Sequence, residues 1–284
     1  MEAVAVAVRT AMPANVAPFR ARSVLRAVSR EPTCSRCKLR EGCLSSGLEA
    51  DEMIDLEEIV TAPMRIAKGE ILYRSGGRFT GLYAIRLGSF KTVLLADDGY
   101  EQVAGYHMPG EILGTDGIGV GLHDSEAIAL EDSEVCAISF ERLQTLARDQ
   151  QAVQKNLHRV LAREIVRERK IMMMLGTMSA EQRLAAFLID LSQRYRARGY
   201  SSSEFVLRMT REEIGSYLGL KLETVSRLFS RLQRDALLQV QGRAVKLLDP
   251  ITLKQLVSLS SSHAGRRRTR GDGPCSEESI VPLV

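Results

Sequence analysis

Residues 210–248, TREEIGSYLGLKLETVSRLFSRLQRDALLQVQGRAVKLL, decide the fold of the C-terminal half. Thr210-x-x-Glu213 is a capping box, in which hydroxyl and carboxylate satisfy amides that a helix leaves open at its start. An eight-residue helix follows, then a tight turn at Gly219 and a second helix over about 221–233. LLQVQGRAVKLLD supplies two short apolar strands joined through Gly242, a hairpin beside the helix pair. The pattern predicts a winged helix-turn-helix, a unit that lays its second helix in the major groove of DNA.

On that second helix Glu223, Ser226 and Arg227 fall at i, i+3 and i+4 and share a face, while Val225, Leu228 and Leu232 form the buried side. An arginine fork matches guanine O6 and N7, a carboxylate accepts from cytosine N4, and a serine hydroxyl serves base or phosphate. Lys221 stands at the helix start as a phosphate contact. Taken in isolation E-x-x-x-R is an ordinary surface pair; the buried side and the wing beside it favour DNA. From Gln193 to Leu248 eleven lysines and arginines face five acids, a larger surplus than the +4 of the whole chain.

Working towards the N-terminus, Ser179-x-x-Gln182 opens another helix, RLAAFLIDLSQRY. Gln151 to Leu175 contains neither Gly nor Pro and carries apolar residues at three and four spacing, which predicts one long helix. Leu161, Ile165, Met172 and Leu175 make a heptad seam with Glu168 at the missing position. In a dimer two Glu168 carboxylates would meet in a largely apolar interface, so association is expected to be marginal unless Glu168 reaches water at the edge. Between about 62 and 140, short apolar runs alternate with turn signals, among them Asp98-Gly99, and predict an antiparallel barrel or sandwich. The expected class is α+β, with a β-roll sensor domain over 31–148, a dimerisation helix over 149–176 and the winged domain over 177–259. Residues 1–30 and 260–284 are expected as disordered tails, the latter with the basic cluster Arg266, Arg267, Arg268 and Arg270.

The 284 residues are 45% hydrophobic and 26% charged, which excludes a wholly disordered or collagen-like chain. No run approaches the 18 or so apolar residues of a membrane span, and MEAVAVAVRT lacks the basic start of a secretory signal, so the expected compartment is the cytoplasm. Five cysteines, an odd number, do not suggest a disulfide framework. Cys34-x-x-Cys37-x5-Cys43 clusters three thiols, and Cys136 stands in EVCAISF; Cys275, in the C-terminal tail, is given no role. Thiolates ligate iron-sulfur clusters and structural zinc alike, and either site needs four. The residues alone leave both open, along with a bare thiol switch and Cys136 as a small buried hydrophobe.

The stretch IGSYLGLKLETVSRLFSRLQ, the β-rich region before it and the long helix between them resemble the CRP/FNR superfamily of bacterial transcription regulators over roughly residues 31–250. E-T-V-S-R resembles the recognition helix of the oxygen-responsive FNR branch; the cyclic-AMP receptor type tends to have Arg before the Glu, where this chain has Leu222. The resemblance implies base contacts from Glu223, Ser226 and Arg227 and a palindromic site similar to TTGAT-N4-ATCAA. It also implies Cys34, Cys37, Cys43 and Cys136 as ligands of an oxygen-labile 4Fe-4S cluster, a homodimer that activates transcription, and RNA polymerase as a partner, with the hairpin loop 96–100 as an activating surface. One departure is Gly42 before the third cysteine, where the branch commonly has a bulky apolar residue; it predicts a less shielded cluster. Gly110-Glu111-Ile112 matches the phosphate turn of cyclic-nucleotide binders, but Asp124 and Glu126 stand where a phosphate needs positive charge, so a cyclic nucleotide is disfavoured. The competing readings are a thiol-redox or zinc-stabilised regulator and a ligand-binding β-domain acting through protein contacts. With no nucleophile-base motif, phosphate loop or open metal site, no enzyme is expected.

Overall fold

The computed structural model describes residues 34–96 and 99–258. Cys275, the basic cluster at 266–270, Asp98 and the whole of both expected tails lie outside the described residues. After two short turns carrying the cysteine triplet comes helix α1 (Ala50–Ile59), capped reciprocally by Glu49 and Glu52. Eight strands follow: β1 (Met64–Ile66), β2 (Ile71–Tyr73), β3 (Gly81–Leu87), β4 (Phe90–Leu95), β5 (Glu101–His107), β6 (Ile112–Leu113), β7 (Ser125–Ala129) and β8 (Ser133–Ser139). They form two antiparallel sheets, ordered β1-β8-β3-β6 and β2-β7-β4-β5, which enclose Ile66, Ile85, Phe90, Leu113 and Val135. This is the expected roll. The β4–β5 hairpin closes with Leu95 opposite Glu101 and Gly99 in the left-handed conformation.

Helix α2 (Phe140–Asp149) packs beside the roll, and a break at the extended Gln150 starts α3 (Gln151–Thr177), the predicted long helix. Then come α4 (Ala180–Ala197), β9 (Glu204–Val206), α5 (Arg211–Leu218), α6 (Leu222–Arg234), β10 (Leu238–Gln241), β11 (Ala244–Leu247) and α7 (Pro250–Ser258). Both capping boxes form: Thr210 Oγ1 accepts from the Glu213 amide at 3.1 Å, and the Ser179 amide donates to Gln182 Oε1 at 2.9 Å. Such a cap contributes about 1 kcal/mol. Strand β9 joins the wing as a third strand, order β10-β11-β9. No helix among the described residues is long and apolar enough to cross a membrane.

Two features fix how the halves meet. Val93, Val103, Tyr106 and Met108 of the roll share one core with Leu184, Phe187, Tyr217 and Leu218 of the C-terminal domain. Polar contacts frame that core: Lys91 Nζ lies 2.7 Å from Glu213 Oε1, and the Val103 amide donates to Ser216 Oγ at 2.9 Å. On α3, Val153, Asn156, Val160 and Met174 point inward, whereas Ile165, Val166, Met172 and Met173 are exposed, Met172 at 72%. Glu168 is exposed within that apolar stripe, and Leu161 is half-buried. The predicted seam needs one correction. Leu175 is half-buried against the core of the C-terminal domain, so the outward stripe ends at Met172 and Met173.

Candidate functional site: a cysteine cavity and a DNA-reading helix

Cys34, Cys37 and Cys43 come from the segment ahead of α1, and Cys136 comes from β8, where it sits opposite Ala84 of β3. All four line one small cavity, about 50 Å³, with Leu39, Leu44, Leu56, Val60, Ile85 and Ile138 around them. Each is half-buried and free. The lining is almost wholly apolar, and that sets the thiol chemistry. Burial, reinforced by the neighbouring Cys43 and Cys136, pushes Cys34 up to about 12, and burial with Cys43 pushes Cys136 up to about 11. Cys43 is raised by burial as well. Cys34, Cys43 and Cys136 are therefore protonated, and only a bound cation would make ligands of them. Among the described residues no group of three or more His, Cys, Asp or Glu side chains stands ready to hold a metal ion. The thiols share a cavity without converging on a point.

Several residues that sequence reading missed hold this segment. The Ser35 amide donates to Glu57 Oε1 at 2.8 Å, and buried Asn156 of α3 donates from Nδ2 to the carbonyls of Leu44 and Ser46, both at 2.7 Å. Arg163 of α3 reaches the Gly42 carbonyl at 3.3 Å. Gly42 has its own packing reason: a Cβ there would stand 3.2 Å from the Gly110 carbonyl oxygen, so the backbones meet where a bulky residue would separate them.

Next to Gly110, Glu111 carries a knot of charge that the sequence did not reveal. Its carboxylate meets Arg167 of α3 at 3.1 Å, Arg194 of α4 at 2.9 Å and Arg198, just past the end of α4, at 2.5 Å. Burial alone would raise its pKa, but Arg194, Arg167 and Arg198 together hold it down at about 2. The pKa of His107 beside it is also lowered, to about 3, by burial and then by Arg167, which leaves the imidazole neutral where the carboxylate is charged. Its Nδ1 accepts from Arg167 at 3.3 Å and its Nε2 meets Thr92 Oγ1 at 3.1 Å. Removing one partner from such a buried knot typically costs about 3–5 kcal/mol.

The later segment around Asp124, where the phosphate of a cyclic nucleotide would need positive charge, is also filled from within. Asp116 Oδ2 accepts from the amides of Asp124 (3.1 Å) and Ser125 (3.0 Å) and from the Ser125 hydroxyl (2.8 Å). Glu126 lies 3.4 Å from Arg74. A protein carboxylate thus takes the donors that an anionic ligand would need.

At the other end of the molecule, α5 and α6 meet through a turn that demands glycine. Gly219 is left-handed (φ 62°) and caps α5, and a Cβ on Gly215 would lie 2.5 Å from the Leu220 carbonyl. Glu223, Ser226 and Arg227 are exposed on α6, and Lys221, its N-cap, is exposed as well. Val225, Phe229 and Leu232 are buried, with Leu228 half-buried, so Phe229 takes the central place expected for Leu228. Arg211 caps the inner face, its guanidinium 3.3 Å from the Phe229 ring centroid. The basic surplus counted along the sequence needs a correction too. Arg194 and Arg198 are spent on Glu111, and Arg208 pairs with Glu131 at 3.1 Å, so these three are not free for phosphate.

Comparison with known proteins agrees with this arrangement. Residues 63–150 match the cyclic nucleotide-binding domain family and residues 182–256 match the Crp-like helix-turn-helix domain family. The chain is 47% identical over 228 residues to the transcriptional regulatory protein btr of Bordetella pertussis, covering 80% of this chain and 94% of that one. It is 44% identical to the transcriptional activator protein Anr of Pseudomonas protegens (78% and 90% covered) and 39% identical to the fumarate and nitrate reduction regulatory protein of Escherichia coli (78% and 89%). Among solved structures it is similar to FixK2 from Bradyrhizobium japonicum, with a TM-score of 0.63 at 29% identity over 68% of this chain and 96% of that one. These relatives are transcription regulators and not enzymes. With such identity over four-fifths of its length, a roll and a helix-turn-helix in the family's order, this chain belongs to the FNR branch of the CRP/FNR superfamily, transcription regulators that carry a helix-turn-helix DNA-binding domain.

Proposed function

We propose that the chain is an iron-sulfur-dependent, oxygen-responsive regulator that binds a palindromic DNA site similar to TTGAT-N4-ATCAA as a homodimer when oxygen is scarce. The observation that carries this reading is the cavity in which four thiols from two remote segments meet among apolar side chains. The donor set fits a 4Fe-4S cluster, which takes one thiolate at each iron, so that its ligands surround a group; a lone zinc ion draws sulfurs to about 2.3 Å from one point. When bound, the cluster supplies a redox centre that oxygen can attack. Cys34, Cys37, Cys43 and Cys136 would hold it as thiolates. Leu39, Leu44, Val60 and Ile138 keep water away, and Asn156 and Arg163 tie the loop that carries Cys43 to α3.

The exposed Ile165, Met172 and Met173, with half-buried Leu161 at the start of the stripe, pair with their copies across a two-fold axis. Glu168 in its midst makes that pairing weak enough for the cluster to decide it. The dimer lays two α6 helices on two half-sites, with Glu223, Ser226 and Arg227 at base edges and Lys221 on phosphate. Domain limits at 31–148, 149–176 and 177–259, a cytoplasmic setting and RNA polymerase as the protein partner complete the reading. The internal pairing of Asp116 argues against a cyclic nucleotide. The test is operator binding by anaerobically purified protein, repeated after air. Tight binding that is lost on aeration together with iron and sulfide supports the reading. Binding indifferent to air, with zinc bound, overturns it.

A further inference from the structure

Helix α3 carries the stripe that joins two copies, and α4 opens the domain that carries α6, so the angle between them sets where the DNA-reading helices stand. The two helices are separated only by Met178 and Ser179, both in extended conformation (ψ 145° and 163°). A two-residue joint between long helices is a hinge unless something spans the angle. Glu111 spans it. Arg167 lies ten residues before the end of α3, about 15 Å from the joint, and Arg194 lies fourteen residues into α4, about 21 Å along the other arm. Both guanidinium groups close on the same buried carboxylate, at 3.1 and 2.9 Å, and Arg198 adds a third contact at 2.5 Å. Further bonds fasten the α4 arm to the strand and turn that carry Glu111: Arg194 Nη2 to the Tyr106 carbonyl (2.6 Å) and Arg198 Nε to the Pro109 carbonyl (2.7 Å). An acceptor this far from the hinge has long leverage on both arms.

We propose that Glu111 is a specificity-determining brace: it fixes the angle between α3 and α4, and through it the half-site spacing that the dimer accepts. The proposal rests on the reading above that α3 pairs two copies and α6 reads DNA. A rigid two-fold dimer tolerates one separation of half-sites, because each added base pair both lengthens the gap and rotates one site by about a tenth of a turn. Contacts of α5 with the β4–β5 hairpin seat the DNA-binding domain on the roll, and Glu111 adds the tie to α3.

The experiment measures affinity of the anaerobically prepared full chain for operator duplexes with the native spacer and with spacers one, two and five base pairs longer. Wild type should discriminate steeply. Glu111→Gln, with its dimer fraction and iron content unchanged, should bind the native spacer more weakly and lose about tenfold of its discrimination against longer ones. Arg198→Lys, which keeps the charge and loses the fork, is the milder variant should Glu111→Gln fold poorly, and it should lie between the two. Steep discrimination retained in both variants overturns the brace, as does a wild type indifferent to spacing. A wild type that is monomeric or does not bind any operator overturns the underlying reading instead, so the two failures are distinguishable.

Discussion

The cysteine cavity and the recognition helix do their work under opposite physical conditions. In the cavity, three thiols from one ten-residue segment and a fourth from β8 are brought together by tertiary contacts, in apolar surroundings that keep Cys34, Cys43 and Cys136 protonated. On α6 the side chains of Glu223, Ser226 and Arg227 face solvent, and their common face follows from one helical period and two flanking signals, the Thr210 capping box and the Gly219 turn. A site assembled by tertiary contacts fails as a unit when one ligand goes. A site read off one helix surface loses affinity by degrees, one contact at a time.

The sharpest way to break this contrast is at the cysteines. Replacing Cys34, Cys37, Cys43 or Cys136 by Ser should each abolish iron and sulfide binding and the anaerobic response, while Cys275→Ser should do neither. Iron content and anaerobic operator binding check it, and a graded series among the four would contradict the contrast.

Acid probes the knot between the two regions. Glu111 is held at about 2 against a usual 4.5, so its contribution is fully present above about pH 4.5 and is lost as pH falls towards 2. His107 is held neutral at about 3 against a usual 6.5; the unfolded chain takes up a proton below pH 6.5 that the folded chain refuses, and stability declines from there down to about 3. Urea unfolding should therefore show a decline that begins near pH 6.5 and steepens below 4.5, on the order of 3 kcal/mol from Glu111 and about 5 kcal/mol from His107. A flat profile from 6.5 to 3 would contradict both placements.

At α6 the effects should be graded. Arg227→Ala or Glu223→Ala should weaken specific binding by about 1–3 kcal/mol and relax preference at one position of each half-site. Lys221→Ala should weaken all sequences alike and lower the salt slope by roughly one. Binding across single-base operator variants separates the two kinds of contact. A smaller change is expected at the dimer stripe, where Glu168→Ala should shift the monomer–dimer equilibrium by about tenfold, about 1.4 kcal/mol, giving dimers in air. Sedimentation with the same monomer fraction as wild type would remove Glu168 from the switch.

The same contrast explains what could be read in the sequence. Capping boxes at Ser179 and Thr210, the Gly219 turn and the exposed trio on α6 are local signals, and the structure has them where their spacing puts them, to within a residue at the helix ends. The strands are legible as a group; β9 and α7 are too short to stand out, and α1 and α2, although capped at Glu49 and Ser139, are only ten residues each. Glu111 was read as part of a ligand turn, yet its partners lie 56, 83 and 87 residues further on, a pairing that no periodicity encodes. For the same reason Arg194 and Arg198 were counted towards DNA. Leu175 shows how a heptad pattern identifies an apolar stripe without saying which neighbour covers each member.

The proposed cluster takes four thiols, one of them from β8. The most direct test is the anaerobic visible spectrum of the wild-type chain and of Cys136→Ser, with iron and acid-labile sulfide measured on the same samples and again after air. The wild type should carry about four iron and four sulfide per chain, with broad visible absorption that air bleaches, and Cys136→Ser should carry neither. A colourless wild type with one zinc per chain, or a Cys136→Ser that holds iron and sulfide as the wild type does, would contradict it.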